Sequence, residues 1–351
     1  MKFVTFSRPG KPGARPGLRV TDSPSPEQQD DAANGIIIDL AEAYEFVYRR
    51  DPAGLPAPTI IPATREGMLT IIQQAPASLL ACEKVRAAFS AKQIPQSMLY
   101  PEKLATLHSP LPNPPSMRDG YAFRQHVEAA RRNRGVPMIP EFDHFPIFYY
   151  TNHLAVTGPG PIPVMPLARE KLDFELETAI VIGKGGRNIA AKDADDHIFG
   201  YTIMNDWSAR HLQMEEMKLN LGPAKGKDFA TSLGPYLVTR DELASYRQAG
   251  PNGERFDLRM QCWVNDKLVS DGNQKDMTWT YAQIIERVSY GVTLQPGEVI
   301  GSGTVGTGCF LELNGSKITD NQWLKPGDRV DLLVTGLGRL QNTITAEEVS
   351  R

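Results

Sequence analysis

The sequence predicts an α+β protein, mainly β, with a small mixed domain over 1–110 followed by a larger β-rich domain over 116–351. Three observations carry this. From Lys171 onward, short β-runs are separated by Gly and Pro with little helical periodicity between them, the pattern of antiparallel or mixed β-structure rather than of a doubly wound parallel sheet. The stretch HSPLPNPP, His108 to Pro115, packs four prolines into eight residues, which blocks helix and central strand alike and marks a boundary. At 351 residues the chain also exceeds one typical domain.

In the first part, KFVTFS and NGIIIDL read as strands, and AEAYEFVYRR and ASLLACEKVRAAF as helices. Beyond the boundary come a helix in YAFRQHVEAARRNRG and a strand in FPIFYYT. The β-runs follow: LDFELETAIVIG, HIFGYTIMNDWS, SLGPYLVT, FDLRMQCWVNDKLV, EVIGSGTVG, CFLELNG and RVDLLVTGLGRLQNTI. No internal repeat is visible.

The composition, 41% hydrophobic and 23% charged, is that of an ordinary globular protein, and no apolar run is long enough to cross a bilayer. The opening MKFVTFSRPGKPGARPG breaks into Gly and Pro where a signal peptide needs an unbroken apolar core, so secretion and membrane association are not expected. The net charge of -3, with no basic block beyond Arg131, Arg132 and Arg134, gives no reason to expect a nucleic-acid partner. Cys82, Cys262 and Cys309 are odd in number, far apart and without CxxC spacing, so neither a disulfide framework nor a zinc site is encoded, and a reducing cytoplasm is expected.

Acidic residues carry the chemistry. In LDFELETAI, alternation puts Asp173, Glu175 and Glu177 on one strand face, about 7 Å from one to the next. Sheltered carboxylates so close repel each other unless a cation or protons intervene; on an exposed sheet they would simply be a wet face. Asp206, ending an apolar strand in MNDWSAR, is either a ligand or the cap of a helix starting at Ser208, and Asp119 in MRDGYAFRQH has the same two readings. Oxygen donors without Cys or His suit hard cations: Mg²⁺, Mn²⁺ or Ca²⁺.

The ordered set DxYxxxxH, LDxELExA, MNDWSARxxQ, GKxF, SGT and LEL, from about Met117 to the end, resembles the fumarylacetoacetate hydrolase superfamily, in the form of its bacterial members with a small N-terminal domain. The resemblance implies a mixed β-roll for the larger domain, metal ligands at Asp119, Glu175, Glu177 and Asp206, and a catalytic dyad of His126 with Glu312. It also implies that Arg210 and Gln213 bind substrate and stabilise an oxyanion, and that Lys227 of GKDF, rather than Lys225, assists the leaving group. Tyr121, Tyr149 and Thr304 match substrate-contacting positions. A homodimer formed through the larger domain is implied as well. One departure stands out: Gly135, with Arg134 beside it, occupies the place where enzymes acting on fumarylacetoacetate itself carry an arginine.

The expected reaction is metal-dependent hydrolysis of a carbon-carbon bond in a small 1,3-diketo acid, such as fumarylacetoacetate, fumarylpyruvate or another acylpyruvate, with water activated by His126. A carboxylate on one imidazole nitrogen raises the basicity of the other. Within the same superfamily, a lyase, decarboxylase or isomerase acting on oxaloacetate-like or 2-keto-3-deoxy sugar acids is the alternative. A β-rich binding module without activity is the third reading, and the full set of site residues argues against it.

Overall fold

The computed structural model describes residues 1–10, 13–21 and 35–348. The strands that build the scaffold begin with β1 (Lys2–Ser7), β2 (Ala14–Thr21), β3 (Gly35–Asp39), β4 (Leu99–Pro101), β5 (Met117–Gly120), β6 (Phe148–Tyr150) and β7 (Gly160–Val164). They continue with β8 (Leu176–Ile182), β9 (Ile198–Asp206), β10 (Thr231–Thr239), β11 (Arg259–Val264), β12 (Lys267–Asn273), β13 (Val299–Gly301), β14 (Arg329–Val334) and β15 (Gly338–Ala346). The helices that pack on them are α1 (Leu40–Arg50), α2 (Gly67–Gln73), α3 (Ala77–Ser90), α4 (Arg124–Asn133), α5 (Arg210–Glu216), α6 (Tyr281–Ser289) and α7 (Phe310–Gly315).

The fold is α+β and mainly sheet, with no closed barrel among the described residues. The main path of the large sheet runs β4-β3-β2-β1-β10-β9-β8-β13-β5-β6, and the second sheet runs β12-β11-β14-β15-β7. β1 hydrogen-bonds β10, with Lys2 opposite Val238 and Phe3 opposite Leu237, so strands from before and after the proline-rich stretch share one sheet. β8 lies between β9 and β13 and is buried on both faces: Ala179 and Val181 meet a core with Tyr44 of α1, Ile71 of α2 and Val85 of α3. Ile180 and Ile182 meet the other core, with Met260, Leu332 and Leu340 of the second sheet and Ile285 of α6. Two buried faces explain why AIVI, Ala179 to Ile182, reads as a continuous apolar run.

Local chemistry sets several ends. Asp39 caps α1 by accepting from Glu42 N, and Thr280 with Gln283 forms a capping box on α6. Two local readings differ from the sequence expectation, and two elements go beyond it. CFLELNG is not a strand but holds α7, whose first free N–H groups, at Phe310 and Leu311, are satisfied by the distant Asp173 carboxylate at 2.7 and 2.9 Å. LDFELE is not one strand: Leu172–Asp173 pairs with Ser208–Ala209, and Glu175 N leaves the ladder for Asn205 Oδ1 at 2.9 Å. ARPGLRVT is a strand despite its Gly and Pro, because β1 and β3 flank it. YAQIIERVS is a helix not picked out in the sequence.

Candidate metal centre and catalytic dyad

Four adjacent strands, β9, β8, β13 and β5, converge at one end. Gly301 of β13 stands opposite both Asp119 of β5 and Ala179 of β8, while Leu176 of β8 stands opposite Asn205 of β9. Asp119, Glu175, Glu177 and Asp206 thereby each bring a carboxylate oxygen to within 4.8 Å of the others, and all four residues are buried. Neither Asp119 nor Asp206 caps a helix: both lie in strands, α4 starts at Arg124, and α5 starts at Arg210.

Burial, then the neighbouring Asp206, pushes the Asp119 carboxyl up to about 7. Burial, then Asp119 and Glu175, pushes Glu177 well above the usual carboxylate range. Burial works against ionised Glu175 too, but Lys227 and Arg210 outweigh it and hold that group low. Lys227 Nζ donates to Asp206 Oδ2 at 2.7 Å and to Glu175 Oε2, and stays protonated because Asp206 and Glu175 outweigh its burial. Gly303 N–H lies 3.0 Å from Asp119 Oδ1 and 3.1 Å from Glu177 Oε2, and Tyr149 Oη donates to Asp206 Oδ2. Asp206 Oδ1 is buried with no hydrogen-bond partner among the described residues. An all-carboxylate donor set, a buried orphan oxygen and two carboxyls driven toward protonation by burial and then by their acidic neighbours fit a hard divalent cation.

Beside this cluster, α4 packs on α7. His126 Nδ1 and Glu312 Oε2 are 2.6 Å apart, both side chains buried. A carboxylate accepts, so the shared proton belongs to Nδ1, and in the neutral ring the lone pair is on Nε2. The Tyr121 ring meets His126 edge-on at 5.7 Å. Arg210, 2% exposed, donates from Nε to Asp173 Oδ2 at 2.8 Å, from Nη1 to Gln213 Oε1 at 2.9 Å and from Nη2 to Glu175 Oε1 at 2.7 Å. Thr304 is buried, with Oγ1 3.4 Å from Glu177 Oε1. Tyr150, the neighbour of Tyr149, is 63% exposed and lies under Arg118, while Lys225 pairs with Asp228 at the surface. Arg134 is exposed, its Nε on Ala130 O.

The fold therefore links Asp119, Glu175, Glu177, Asp206, His126, Glu312, Arg210, Gln213, Lys227, Tyr121, Tyr149 and Thr304 in one connected set of contacts. It adds others. Asp173, one of the three alternating acids, lies outside the four-carboxylate cluster and instead joins Arg210 to the start of α7. Asn205 fixes the Glu175 backbone. Gly301 and Gly303 leave room for the site: a Cβ on Gly301 would sit 2.3 Å from Asp119 Oδ1, and one on Gly303 2.7 Å from Gly120 O. The GSGT spacing is the one sequence signal that could have found the two glycines.

The family profile "Fumarylacetoacetate (FAA) hydrolase C-terminal" matches residues 116–345. The chain is 30% identical over 297 residues to oxaloacetate tautomerase YisK of Bacillus subtilis, covering 80% of this chain and 90% of that protein. It is 31% identical over 251 residues to fumarylacetoacetase of Oryza sativa subsp. japonica, covering 57% of this chain and 58% of that protein. Its fold is similar to that of maleylpyruvate hydrolase from Sphingobium sp. SYK-6, solved with manganese (II) ion and pyruvate: TM-score 0.66, 21% identity, 99% of this chain and 100% of that one.

Proposed function

The chain belongs to the fumarylacetoacetate hydrolase family, and from that premise we propose that it is a divalent-metal-dependent enzyme acting on a small β-dicarbonyl acid, hydrolysing a carbon-carbon bond of an acylpyruvate. The observation that carries this is a buried His126–Glu312 pair opening onto four buried carboxylates. Asp119, Glu175, Glu177 and Asp206 would hold Mg²⁺, Mn²⁺ or Ca²⁺, which when bound polarises a keto carbonyl and favours its enolate.

The remaining steps belong to this chain's own side chains. Glu312 fixes the proton of His126 on Nδ1, so Nε2 takes a proton from a water whose oxygen forms the new bond to the carbonyl carbon. Gln213, whose Oε1 already accepts from Arg210, keeps its amide N–H groups as donors for the oxyanion, together with the remaining guanidinium protons of Arg210. Collapse breaks the carbon-carbon bond, and its electron pair leaves as an enolate facing the Lys227 ammonium. His126 returns its proton to that carbon. Thr304 and Tyr121 flank the space in which the substrate would lie.

A second reading has one observation in its favour: the oxaloacetate tautomerase relative is matched over 90% of its length, the fumarylacetoacetase over 58%. In that reaction the same Nε2 would move a proton between C3 and the enol oxygen, with no water added. Acylpyruvates, fumarylacetoacetate, fumarylpyruvate and oxaloacetate are to be followed by loss of enol absorbance with added Mg²⁺ or Mn²⁺, and the products identified. Hydrolysis is expected to yield two carboxylic or keto acids per turnover; accelerated enol-keto exchange of oxaloacetate with no new acid would establish the second reading instead. His126→Ala is expected to lower turnover about 10²- to 10⁴-fold in either case, with metal affinity nearly unchanged; retained turnover would remove the dyad assignment.

A further inference from the structure

We propose a second cation site, for a soft transition ion of the zinc class, formed by His126, Cys309 and Glu175 beside the four-carboxylate centre. One donor atom from each lies within 4.8 Å of the others, and all three residues are buried. Cys309 directly precedes α7, so the short helix that carries Glu312 to one side of the imidazole carries the thiol to the same neighbourhood. The Asp173 carboxylate at the Phe310 and Leu311 N–H groups fixes that helix start.

The two sites sort ions by donor type. Four carboxylates suit a hard cation, whereas one nitrogen, one sulfur and one carboxylate oxygen with a free fourth position suit tetrahedral Zn²⁺. Zinc bonds of about 2.0–2.3 Å place tetrahedral donors about 3.5 Å apart, so binding would draw the three donor atoms together from their present spread and have the ion compete with Arg210 and Lys227 for Glu175. Because Glu312 occupies Nδ1, the nitrogen left for a metal is Nε2, the proposed base. On binding, the S–H bond breaks, a sulfur–zinc bond forms and the proton goes to solvent, with no change in oxidation state. The ion then holds the base lone pair, so zinc inhibits while Mg²⁺ or Mn²⁺ activates. The three ligands are spread from 126 to 309 along the chain, which is why no zinc spacing is visible in it.

The inhibitory effect rests on His126 being the base, but the site itself is testable without turnover. The Mg²⁺-saturated protein is titrated with Co²⁺ and followed for thiolate-to-cobalt charge-transfer absorption in the near ultraviolet. The band is expected to appear at one equivalent, to be removed by Zn²⁺, and to be absent in Cys309→Ser, with Cys309→Ala as second variant should the first not fold. In the activity assay, Zn²⁺ is expected to inhibit the wild type at least tenfold more strongly than the variant. A cobalt complex without the thiolate band, or equal zinc inhibition of wild type and variant, overturns the proposal; the band separates this outcome from the choice between hydrolase and tautomerase.

Discussion

With no cation bound, Asp119 keeps a proton that an unfolded aspartate, with its ordinary value of 3.8, gives up, because burial and then Asp206 disfavour its charge and push it up to about 7. The folded protein thus binds more protons than the unfolded chain between those values. This contribution to stability is fully present below 3.8 and is lost as pH rises through about 7. A bound cation reverses the preference, since it takes the place of the proton. The increase in Tm produced by saturating Mg²⁺ or Mn²⁺ is expected to be small at pH 5 and to grow toward pH 7.5; an increment independent of pH, or larger at pH 5, would contradict this. Residue identity in LDFELE announced closely spaced acids, but not their division of labour. Asp173 and Glu175 differ in role because one faces the α7 N-terminus and the other faces Lys227.

At the scale of elements, the site depends on two tight features. Gly303 adopts φ +77° and its N–H is shared by Asp119 and Glu177, while a Cβ there would lie 2.7 Å from Gly120 O and 2.9 Å from Tyr121 Cα. Gly303→Ala is expected to cost about 1–2 kcal/mol from backbone conformation alone, more with the clash, and to weaken metal binding. Thermal unfolding and calorimetric metal titration check it, and no change in either would contradict the reading. The second feature is α7, six residues held at its start by Asp173. Asp173→Asn loses one acceptor for Phe310 N, Leu311 N and Arg210, so a destabilisation of about 1–3 kcal/mol is expected. The predicted kinetic effect is a larger fall in kcat than in metal affinity, because α7 positions Glu312 rather than a carboxylate of the cluster. CFLELNG could not be told from a strand by periodicity, since six residues fit either pattern and the decisive cap lies more than a hundred residues upstream.

At the scale of the whole molecule, the strands before the proline-rich stretch and those after it share hydrogen bonds and one apolar core. Phe3 of β1 is fully buried and meets Phe199 of β9 with ring centroids 5.8 Å apart. Trp207, Trp263, Trp279 and Trp323, the four tryptophans of the chain, all lie after that stretch. Phe3→Ala is expected to cost about 3–5 kcal/mol and to lower the midpoint seen by tryptophan fluorescence as much as that seen by far-ultraviolet dichroism. A fluorescence transition unmoved by this change would mean that the two regions unfold independently. Among the described residues, no helix is long and apolar enough to cross a membrane.

What the sequence by itself determined is the β-rich character and the apolar strands around β8, which are properties of residue type and local spacing; the acids with His126, Glu312, Arg210, Gln213 and Lys227 stand out in it only as an ordered set resembling that of a known family. Tertiary structure alone decided that Asp119, Glu175, Glu177 and Asp206 share one buried volume, that Tyr149 rather than Tyr150 reaches Asp206, and that Cys309 stands beside the imidazole. The reason is physical: a carboxylate in a strand is a wet-face residue or a candidate ligand according to whether neighbouring strands exclude water from it. That exclusion comes from pairings such as β5 with β13 and β8 with β13, between segments far apart in the chain.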